Sequence, residues 1–318
     1  MKKRAFALLL CLAAVCLSAC GGGSDSVTPE REETGQEAAQ PETEAQQEAA
    51  QPESEAQQEG EPQMEQASFR TEELILKNGD DDIYGIMYLP LAERDAYPTV
   101  ILSHGFGGST ANCEPYAQIF AANGFACYAF EFRGGGPNSR SSGDMTEMSV
   151  LTEADDLSAV LEQVRALDYT DNDHVFLWGE SQGGFVSSYV AARHAEDVKA
   201  LVLFYPAFVL QDDARERYPD PADIPETEVL MGNTLGAVYA RDAMSFDIYE
   251  VIGDYKGDVL IIHGDADPIV PLSYAERANQ IYASSELKVI PGAGHGFWDA
   301  LEEPAMMTVE FLQAHTES

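Results

Sequence analysis

The stretch Val-Phe-Leu-Trp-Gly-Glu-Ser-Gln-Gly-Gly, residues 175–184, decides the fold of this chain. Its first four residues form an apolar run that predicts a short buried strand. The run ends in a Gly-x-Ser-x-Gly pattern with Ser181 at its centre, and residues 185–193 favour a helix. A strand, a sharp turn with serine at its apex and a helix together form a nucleophile elbow. Gly179 and Gly183 fit this elbow, because side chains there would collide with the neighbouring strand or helix.

Segments on both sides of the elbow alternate between strand and helix. Apolar runs bounded by turn signals predict strands at 74–77, 83–89, 99–103, 126–132, 175–178, 198–204, 259–263 and 287–290. Helix-compatible runs predict helices at 111–123, 150–167, 185–193, 272–283 and 299–314. This order predicts an α/β fold, in which a mostly parallel eight-stranded sheet carries helices on both faces. In such a sheet, functional groups collect at the carboxyl ends of the strands.

One interval breaks the alternation. More than fifty residues separate Phe204 from Val259, far more than a single connecting helix needs. We predict that residues 207–254 form a cap over the site, inserted after the sixth strand; a mobile surface excursion is the alternative. The aromatic candidates for substrate contact from this cap are Tyr218, Tyr239, Phe246 and Tyr249.

The first 67 residues are predicted to lie outside the folded domain. Residues 1–20 combine a basic start with an apolar run too short for a comfortable membrane span. They end in Leu-Ser-Ala-Cys, which resembles a bacterial lipobox and predicts lipidation of Cys20; an ordinary secretory signal or an uncleaved anchor is the alternative. Residues 21–67 repeat an Ala-, Gln-, Glu- and Pro-rich segment almost without apolar side chains, which predicts a disordered linker. We therefore expect an extracytoplasmic domain at 68–318, tethered to the bacterial cell membrane only through the lipid on Cys20.

Charge and cysteine content narrow the class of function. The whole chain carries −37 at pH 7; the basic start contributes +3 and the linker −12, which leaves −28 for residues 68–318. Such a charge disfavours nucleic acid or an anionic membrane surface as a partner. Cys113 and Cys127 fall at opposite ends of a predicted helix–strand unit, so we expect no disulfide between them. No spacing of metal ligands occurs, and we expect neither metal nor cofactor.

A serine nucleophile needs a base, and the base needs a group that orients it. Three histidines fall at the ends of predicted strands that face the proposed site, namely His104, His263 and His295. His295 lies in a flexible loop after the last strand, from which an imidazole can reach Ser181, and we assign it as the base. His104 and His263 each precede a glycine directly, a position that suits structural hydrogen bonds within loops.

The orienting acid should follow the seventh strand, where the chain offers Asp265 and Asp267. Asp265 lies in the tight turn, where an aspartate commonly bonds its own backbone. Asp267, two residues on, is better placed to reach out, and we choose it as the acid. The order Ser181, Asp267, His295 is the order of nucleophile, acid and base that accompanies an elbow of this kind.

Attack by serine creates an oxyanion, which needs two preorganised N–H donors. We expect one from the backbone of Gln182, at the start of the elbow helix. The other should come from Phe106, in the His-Gly-Phe-Gly-Gly loop after the third strand, whose glycines allow a close approach. A glycine-rich loop without this role is the alternative.

The motifs HGFGG, GESQGG, GDADPIVP and GAGHGF together resemble the α/β-hydrolase superfamily, over nearly all of residues 68–318. The Ser-Gln-Gly-Gly elbow, the HGFGG loop, the cap and residues 148–157 are similar to those of bacterial cinnamoyl and feruloyl esterases. The chain departs from those enzymes at Glu180, where histidine is usual, and at residues 133–136, where Gly-His-Gly is typical. Related serine aminopeptidases and monoglyceride lipases share much of the pattern.

The motifs and the resemblance imply a serine hydrolase that cleaves carboxylic esters through an acyl-enzyme, with feruloyl, cinnamoyl or other short-acyl esters as substrates. Cleavage of amide bonds in small substrates is a second hypothesis. The acidic residues available to bind a free amino terminus in that case are Asp212, Asp213 and Glu216. A non-catalytic surface lipoprotein that uses the fold for binding is a third hypothesis.

Overall fold

The computed structural model describes residues 68–317, so the predicted signal sequence, Cys20 and the linker fall outside the described part of the chain. The strands are β1 (Phe69–Asn78), β2 (Asp81–Pro90), β3 (Tyr97–Ser103), β4 (Ala126–Phe130), β5 (Thr170–Glu180), β6 (Ala200–Phe204), β7 (Thr227–Leu230), β8 (Asn233–Gly236), β9 (Asp258–Gly264) and β10 (Ser285–Ile290). The helices are α1 (Thr110–Ala122), α2 (Val150–Arg165), α3 (Ser181–Arg193), α4 (Leu210–Arg217), α5 (Ala237–Met244), α6 (Ile248–Val251), α7 (Leu272–Ile281) and α8 (Glu302–Ala314). None of these helices is long and apolar enough to cross a membrane.

Eight of the strands form one sheet in the order β1-β2-β4-β3-β5-β6-β9-β10. β2 pairs antiparallel with β1 and β4, and every other neighbouring pair is parallel. The prediction of a mostly parallel eight-stranded sheet is therefore confirmed. Strand ends differ from the predicted ones; β1, for example, starts at Phe69 and not at Leu74, because its solvent-exposed first half still pairs with β2.

Helices cover both faces of the sheet, as predicted. Alternate side chains of each central strand enter opposite apolar cores: Ile101 packs on the side of α2, α3 and α7, whereas Val100 and Leu102 pack on the side of α1 and α8. Burial of these side chains, worth about 25 cal/mol for each Å² of apolar surface, holds the layers together. The carboxyl ends of β3, β5, β6, β9 and β10 consequently meet at one edge of a rigid sheet.

Helix caps fix the elements beside this edge. Ser109 and Ser149 start α1 and α2 with capping boxes, in which the serine hydroxyl accepts amide bonds of the first turn. No side chain caps α3, whose first residue is Ser181. The first amides of α3 therefore remain available to a group bound in front of the helix.

An insertion follows the sixth strand, as predicted. It contains α4, a 3₁₀ turn, the hairpin β7–β8, α5 and α6. The hairpin was not predicted. Its two-residue turn, Met231-Gly232, has φ of 50° and 85°, which is the left-handed geometry of tight hairpin turns.

Cys113 on α1 and Cys127 on β4 are both buried and free. The expectation of no disulfide between them is confirmed. Burial raises the pKa of both thiols well above the ordinary value, which disfavours the thiolate form.

Candidate active site

The elbow forms where the sequence predicted it. β5 ends at Glu180, α3 begins at Ser181, and the serine backbone is left-handed with φ of 50°. A Cβ on Gly179 would lie 2.3 Å from the carbonyl oxygen of Gly183, and a Cβ on Gly183 would lie 2.3 Å from that of Ser103. Only glycine fits at both positions, which is the physical reason for the Gly-x-Ser-x-Gly pattern.

The three residues chosen as nucleophile, base and acid lie in one chain of hydrogen bonds. Nε2 of His295 lies 3.0 Å from Oγ of Ser181, and Nδ1 of His295 lies 2.7 Å from Oδ2 of Asp267. A ring protonated at Nδ1 donates to the carboxylate and leaves Nε2 to accept the serine proton. The geometry is that of a base poised beside a hydroxyl and oriented by a carboxylate.

Further donors hold Asp267 in place. Its Oδ1 accepts the amides of Ile269 and Val270 at 2.8 and 2.9 Å, and Nε2 of His263 lies 3.4 Å from its Oδ2. Burial alone would raise the pKa of Asp267. The hydrogen bonds from His263, His295 and Val270 outweigh burial and hold this pKa well below its usual range. The carboxylate therefore stays ionised, as an orienting partner of histidine must.

Asp265, the other candidate for the orienting acid, makes a different contact. Oδ1 of Asp265 accepts the amide of Gly292 at 2.6 Å and so joins the turn after β9 to the loop after β10. The expectation that Asp265 bonds its own turn is wrong. β9 and β10 are parallel neighbours with Gly264 opposite Ile290, so their following loops lie side by side and offer the amide.

His104 and His263 bond to loops, as expected. Nδ1 of His104 donates to the carbonyl of Gly105 at 2.7 Å, and its Nε2 accepts the amide of Phe132 at 3.2 Å. This pattern requires a neutral ring, and burial lowers the pKa of His104. Nε2 of His263 donates to the carbonyl of Val270 at 2.9 Å.

Aromatic packing holds the loop that carries His295. The ring of Tyr205 lies 4.5 Å from that of His295, and the ring of Phe297 packs 4.8 Å from Tyr205. Tyr205 and Phe297 are left-handed, with φ of 37° and 49°. Such a backbone costs about 1–3 kcal/mol at each residue and persists only where packing enforces it. Sequence reasoning missed Tyr205; its place directly after the sixth strand was the available signal.

The two expected oxyanion donors belong to two segments that lie next to Ser181. Gln182 follows the serine in the first turn of α3. The loop after β3 passes so close that a Cβ on Gly105 would lie 3.1 Å from Cβ of Ser181. Phe106 lines the same cavity as Ser181 and His295. This arrangement leaves room for an oxyanion between the loop and the helix.

The side chain of Gln182 joins the site to the insertion. Its Nε2 donates to Oε2 of Glu153 on α2 at 2.9 Å, and its Oε1 accepts the hydroxyl of Tyr239 on α5 at 2.8 Å. The ring of Tyr239 also packs 5.7 Å from that of Phe106. Burial raises the pKa of Glu153 well above the ordinary value, although the bond from Gln182 opposes this shift. Sequence reasoning missed Glu153; its place on the apolar face of α2, between Val150 and Leu157, was the signal.

A cavity of about 170 Å³ opens above Ser181. Its rim is apolar and includes Met231, Ile269 and Trp298, whose exposed fractions are 69%, 46% and 76%. No lysine or arginine occurs among the described residues that line it. Sequence reasoning missed this rim, although a tryptophan three residues after His295 was a visible signal.

Of the four aromatic candidates from the cap, Tyr239 alone reaches the site. The other three bond or pack elsewhere: Tyr218, Phe246 and Tyr249. The insertion instead supplies Met231, from the tip of the β7–β8 hairpin. The acidic residues considered for binding an amino terminus are absent from the described lining of the cavity: Asp212, Asp213 and Glu216. Within residues 68–317, no group of three His, Cys, Asp or Glu side chains is arranged to hold a metal ion.

Comparison with known proteins found a family model, solved structures and curated relatives that are similar to this chain. The family model described as serine aminopeptidase, S33, matches residues 94–241, which is less than half of the chain. The solved structure of Est1E from Butyrivibrio proteoclasticus with ferulic acid bound has a TM-score of 0.72 and 24% identity, and the match covers 77% of this chain and all of Est1E. The monoglyceride lipase of Saccharomyces cerevisiae is 25% identical, over 77% of this chain and 94% of the lipase.

A shorter match is the quorum-quenching protein AidA of Acinetobacter baumannii, 30% identical over 112 residues. The match spans about a third of that relative, 35% of its length and 35% of this chain. The likeness to solved structures, together with the sheet order, shows that residues 68–317 have the α/β-hydrolase fold.

Proposed function

We propose that this α/β-hydrolase is a serine hydrolase that cleaves carboxylic esters, with Ser181 as nucleophile, His295 as base and Asp267 as orienting acid. The observation that carries the proposal is the hydrogen-bond chain from Ser181 through His295 to Asp267. A chain of this kind activates a hydroxyl that is otherwise a weak nucleophile at neutral pH.

The acylation half of the reaction follows from this geometry. Oγ of Ser181 attacks the acyl carbon while its proton passes to Nε2 of His295, and the carbonyl electron pair moves onto the oxygen. The amides of Phe106 and Gln182 donate to this oxyanion. Collapse of the tetrahedral intermediate breaks the ester C–O bond, and the departing alkoxide takes the proton from Nε2.

Deacylation repeats these steps with water. The water gives a proton to Nε2 of His295 and attacks the acyl carbon. The second collapse breaks the bond to Oγ of Ser181, which regains its proton, and the carboxylic acid leaves. Asp267 accepts the Nδ1–H bond throughout and keeps the ring oriented.

The apolar rim of the cavity supports an ester with an aryl or alkyl acyl group. The mouth of the cavity is apolar, with Met231, Ile269 and Trp298 at its rim. Among the described residues that line it, no lysine or arginine is available to bind an anionic group. Est1E binds ferulic acid and the yeast relative is a monoglyceride lipase. We therefore propose feruloyl, cinnamoyl or other short-acyl esters as the substrate class.

Amide cleavage is the second candidate function, because the matching family model is that of serine aminopeptidases. The carboxylate that lines the cavity is Glu180, and both its oxygens already accept hydrogen bonds from the protein. An amino terminus of a substrate would find little free acceptor capacity there. Ester cleavage is favoured for this reason.

The test is a set of initial rates for residues 68–318, with Ser181→Ala as the control. The panel holds p-nitrophenyl esters of increasing chain length, methyl ferulate and an aminoacyl-anilide. We expect ester turnover by the native protein and a loss of about a thousandfold or more in Ser181→Ala, without loss of folded structure. An active Ser181→Ala protein would remove Ser181 from its role.

The panel also separates the candidate functions. Turnover of the anilide above the esters would indicate an aminopeptidase. Turnover of methyl ferulate near that of the best short ester would favour an aryl acyl group. No turnover, with no labelling of Ser181 by a serine-directed phosphonate, would indicate a binding protein.

We also propose that the protein works outside the cytoplasm, anchored to the membrane by a lipid on Cys20. The lipobox-like end of the basic, apolar start supports this location. Growth of the producing cell with radioactive palmitate should label the full chain but not Cys20→Ala. Absence of label from the native chain, or recovery in the cytoplasmic fraction, would refute the anchor.

A further inference from the structure

A buried carboxylate that the proposed mechanism does not use lies next to the nucleophile. Glu180 is the last residue of β5 and is 7% exposed. Its Oε1 accepts the amide of Gly105 at 3.3 Å, and its Oε2 accepts the hydroxyl of Tyr205 at 2.7 Å. Burial raises the pKa of Glu180, and the bonds from Tyr205 and Gly105 oppose this shift. Two donors aimed at its two oxygens suit an ionised carboxylate.

We propose that Glu180 is a positioning residue for the reaction, which holds the oxyanion loop through Gly105 and the imidazole of His295 through Tyr205. This inference rests on the proposed function, because it assigns a role in the same serine chemistry. Glu180 itself touches no reacting atom in the proposed mechanism.

The first half of the inference concerns the oxyanion loop. Gly105 directly precedes Phe106, the proposed donor, and its α-carbon faces Ser181. A bond from the Gly105 amide to Glu180 ties the loop to the residue before the nucleophile. This bond fixes the distance between Ser181 and the loop that carries Phe106. Oxyanion stabilisation depends on donors fixed in this way before the charge appears.

The second half concerns the base. The ring of Tyr205 lies against that of His295 at 4.5 Å, and its hydroxyl is bonded to Glu180. The left-handed backbone of Tyr205 needs enforcement by its surroundings. The bond to Glu180 contributes to this enforcement and fixes the position of the Tyr205 ring, which packs against His295. One carboxylate thus connects the ends of β3, β5 and β6 with the loop that carries the base.

The test compares Glu180→Gln and Tyr205→Phe with the native protein on p-nitrophenyl acetate. An amide nitrogen cannot accept a bond, so Glu180→Gln loses one of its two bonds at nearly unchanged size. We expect kcat to fall about 10- to 100-fold in Glu180→Gln, with KM changed by less than about twofold. Tyr205→Phe keeps the ring and should lower kcat about 3- to 10-fold.

The double variant separates positioning from general stability. If the hydroxyl of Tyr205 acts through Glu180, the double variant should be no slower than Glu180→Gln alone. The rate of Ser181 labelling by a p-nitrophenyl phosphonate should fall in parallel with kcat, because labelling needs the same base and oxyanion donors.

Glu131→Gln is the matched control. Glu131 is a second buried carboxylate, 2% exposed, which follows β4 and accepts bonds from Thr110 and from the amide of Arg140. It is absent from the described lining of the cavity above Ser181. Its substitution should leave kcat unchanged while lowering the unfolding temperature.

Three results would overturn the inference. The first is a Glu180→Gln protein with native kcat. The second is losses that multiply in the double variant, and the third is an equal loss of kcat in Glu131→Gln. An inactive native protein would overturn the proposed function together with the inference, whereas an active one with any of these results would overturn the inference alone. Tyr205→Phe keeps the test decisive if Glu180→Gln does not fold.

Discussion

The two loops that flank Ser181 are held in different ways. The loop after β10 carries His295 and is tied by two aspartates of the turn after β9, Asp265 and Asp267. The loop after β3 carries Phe106 and is held at Gly105, whose carbonyl accepts a bond from the neutral ring of His104 and whose amide donates to Glu180. The loop that carries His295 is therefore held by hydrogen bonds to the neighbouring turn after β9.

The proposed oxyanion donors are connected to more distant parts of the fold. Through the side chain of Gln182 they are bonded to Glu153 on α2 and to Tyr239 on α5, within the insertion. A change in the insertion should consequently affect stabilisation of the oxyanion before it affects the base. Three pairs of substitutions follow from this arrangement, each pair a change and its matched comparison.

The largest effect is expected at the bonds that hold the base. Asp267→Asn should lower kcat by about 10³- to 10⁴-fold, because an amide leaves the ring of His295 without its carboxylate. Asp265→Asn weakens only the bond to the amide of Gly292 and should cost less than about 10-fold. Steady-state rates on a short ester measure both. Similar losses in the two variants would mean that the aspartates share one task.

A smaller effect is expected from the insertion. Tyr239→Phe removes the hydroxyl that Gln182 accepts and should lower kcat about 3- to 10-fold. Tyr218→Phe is the control, since that hydroxyl bonds Glu228 within the insertion. The same assay applies to both. If Tyr239→Phe is as active as Tyr218→Phe, the proposed oxyanion donors do not depend on the insertion.

The smallest effect concerns stability and its pH dependence. The folded state holds the proton of Glu153 to a higher pH than the unfolded chain, whose ordinary value is 4.5. Stability from this group is therefore complete below about pH 4.5 and is lost as the pH rises toward the raised folded pKa. Glu153→Gln, which cannot ionise, should unfold at a higher temperature than the native protein at pH 8, by about 2–4 °C for each kcal/mol.

The gain in unfolding temperature should shrink toward pH 4.5, where both proteins are neutral at this position. Thermal unfolding at a series of pH values measures it. Glu162→Gln, at an exposed position of the same helix, should show no such trend. A gain that stays constant with pH would contradict the raised pKa of Glu153.

Motif reasoning found the three proposed reacting groups because each lies within a few residues of the carboxyl end of a strand. Ser181, Asp267 and His295 are local features, and the order of strands suffices to bring them to one edge of the sheet. The supporting residues were not predictable in this way. Tyr239 meets Gln182 across 57 residues of chain, and that meeting depends on how the insertion packs on α2 and α3. No periodicity in the sequence specifies such packing.

The β7–β8 hairpin was missed for a related reason. Its strands have four residues each, and β7 is largely exposed, so no apolar run marks it. The turn at Met231-Gly232 was its one local signal.

Ser181, Tyr205 and Phe297 all hold a left-handed backbone. Ser181 and Tyr205 contact the imidazole of His295, and Phe297 packs on the ring of Tyr205. Glycine at any of them would relax the chain, yet it would remove the proposed nucleophile, the ring that packs against His295 or the ring that supports Tyr205. The fold gives up some of its own stability to keep this centre assembled. Selection for heat resistance should therefore find its improvements away from these positions. If the active site were no longer under selection, we expect substitutions to accumulate at these residues first.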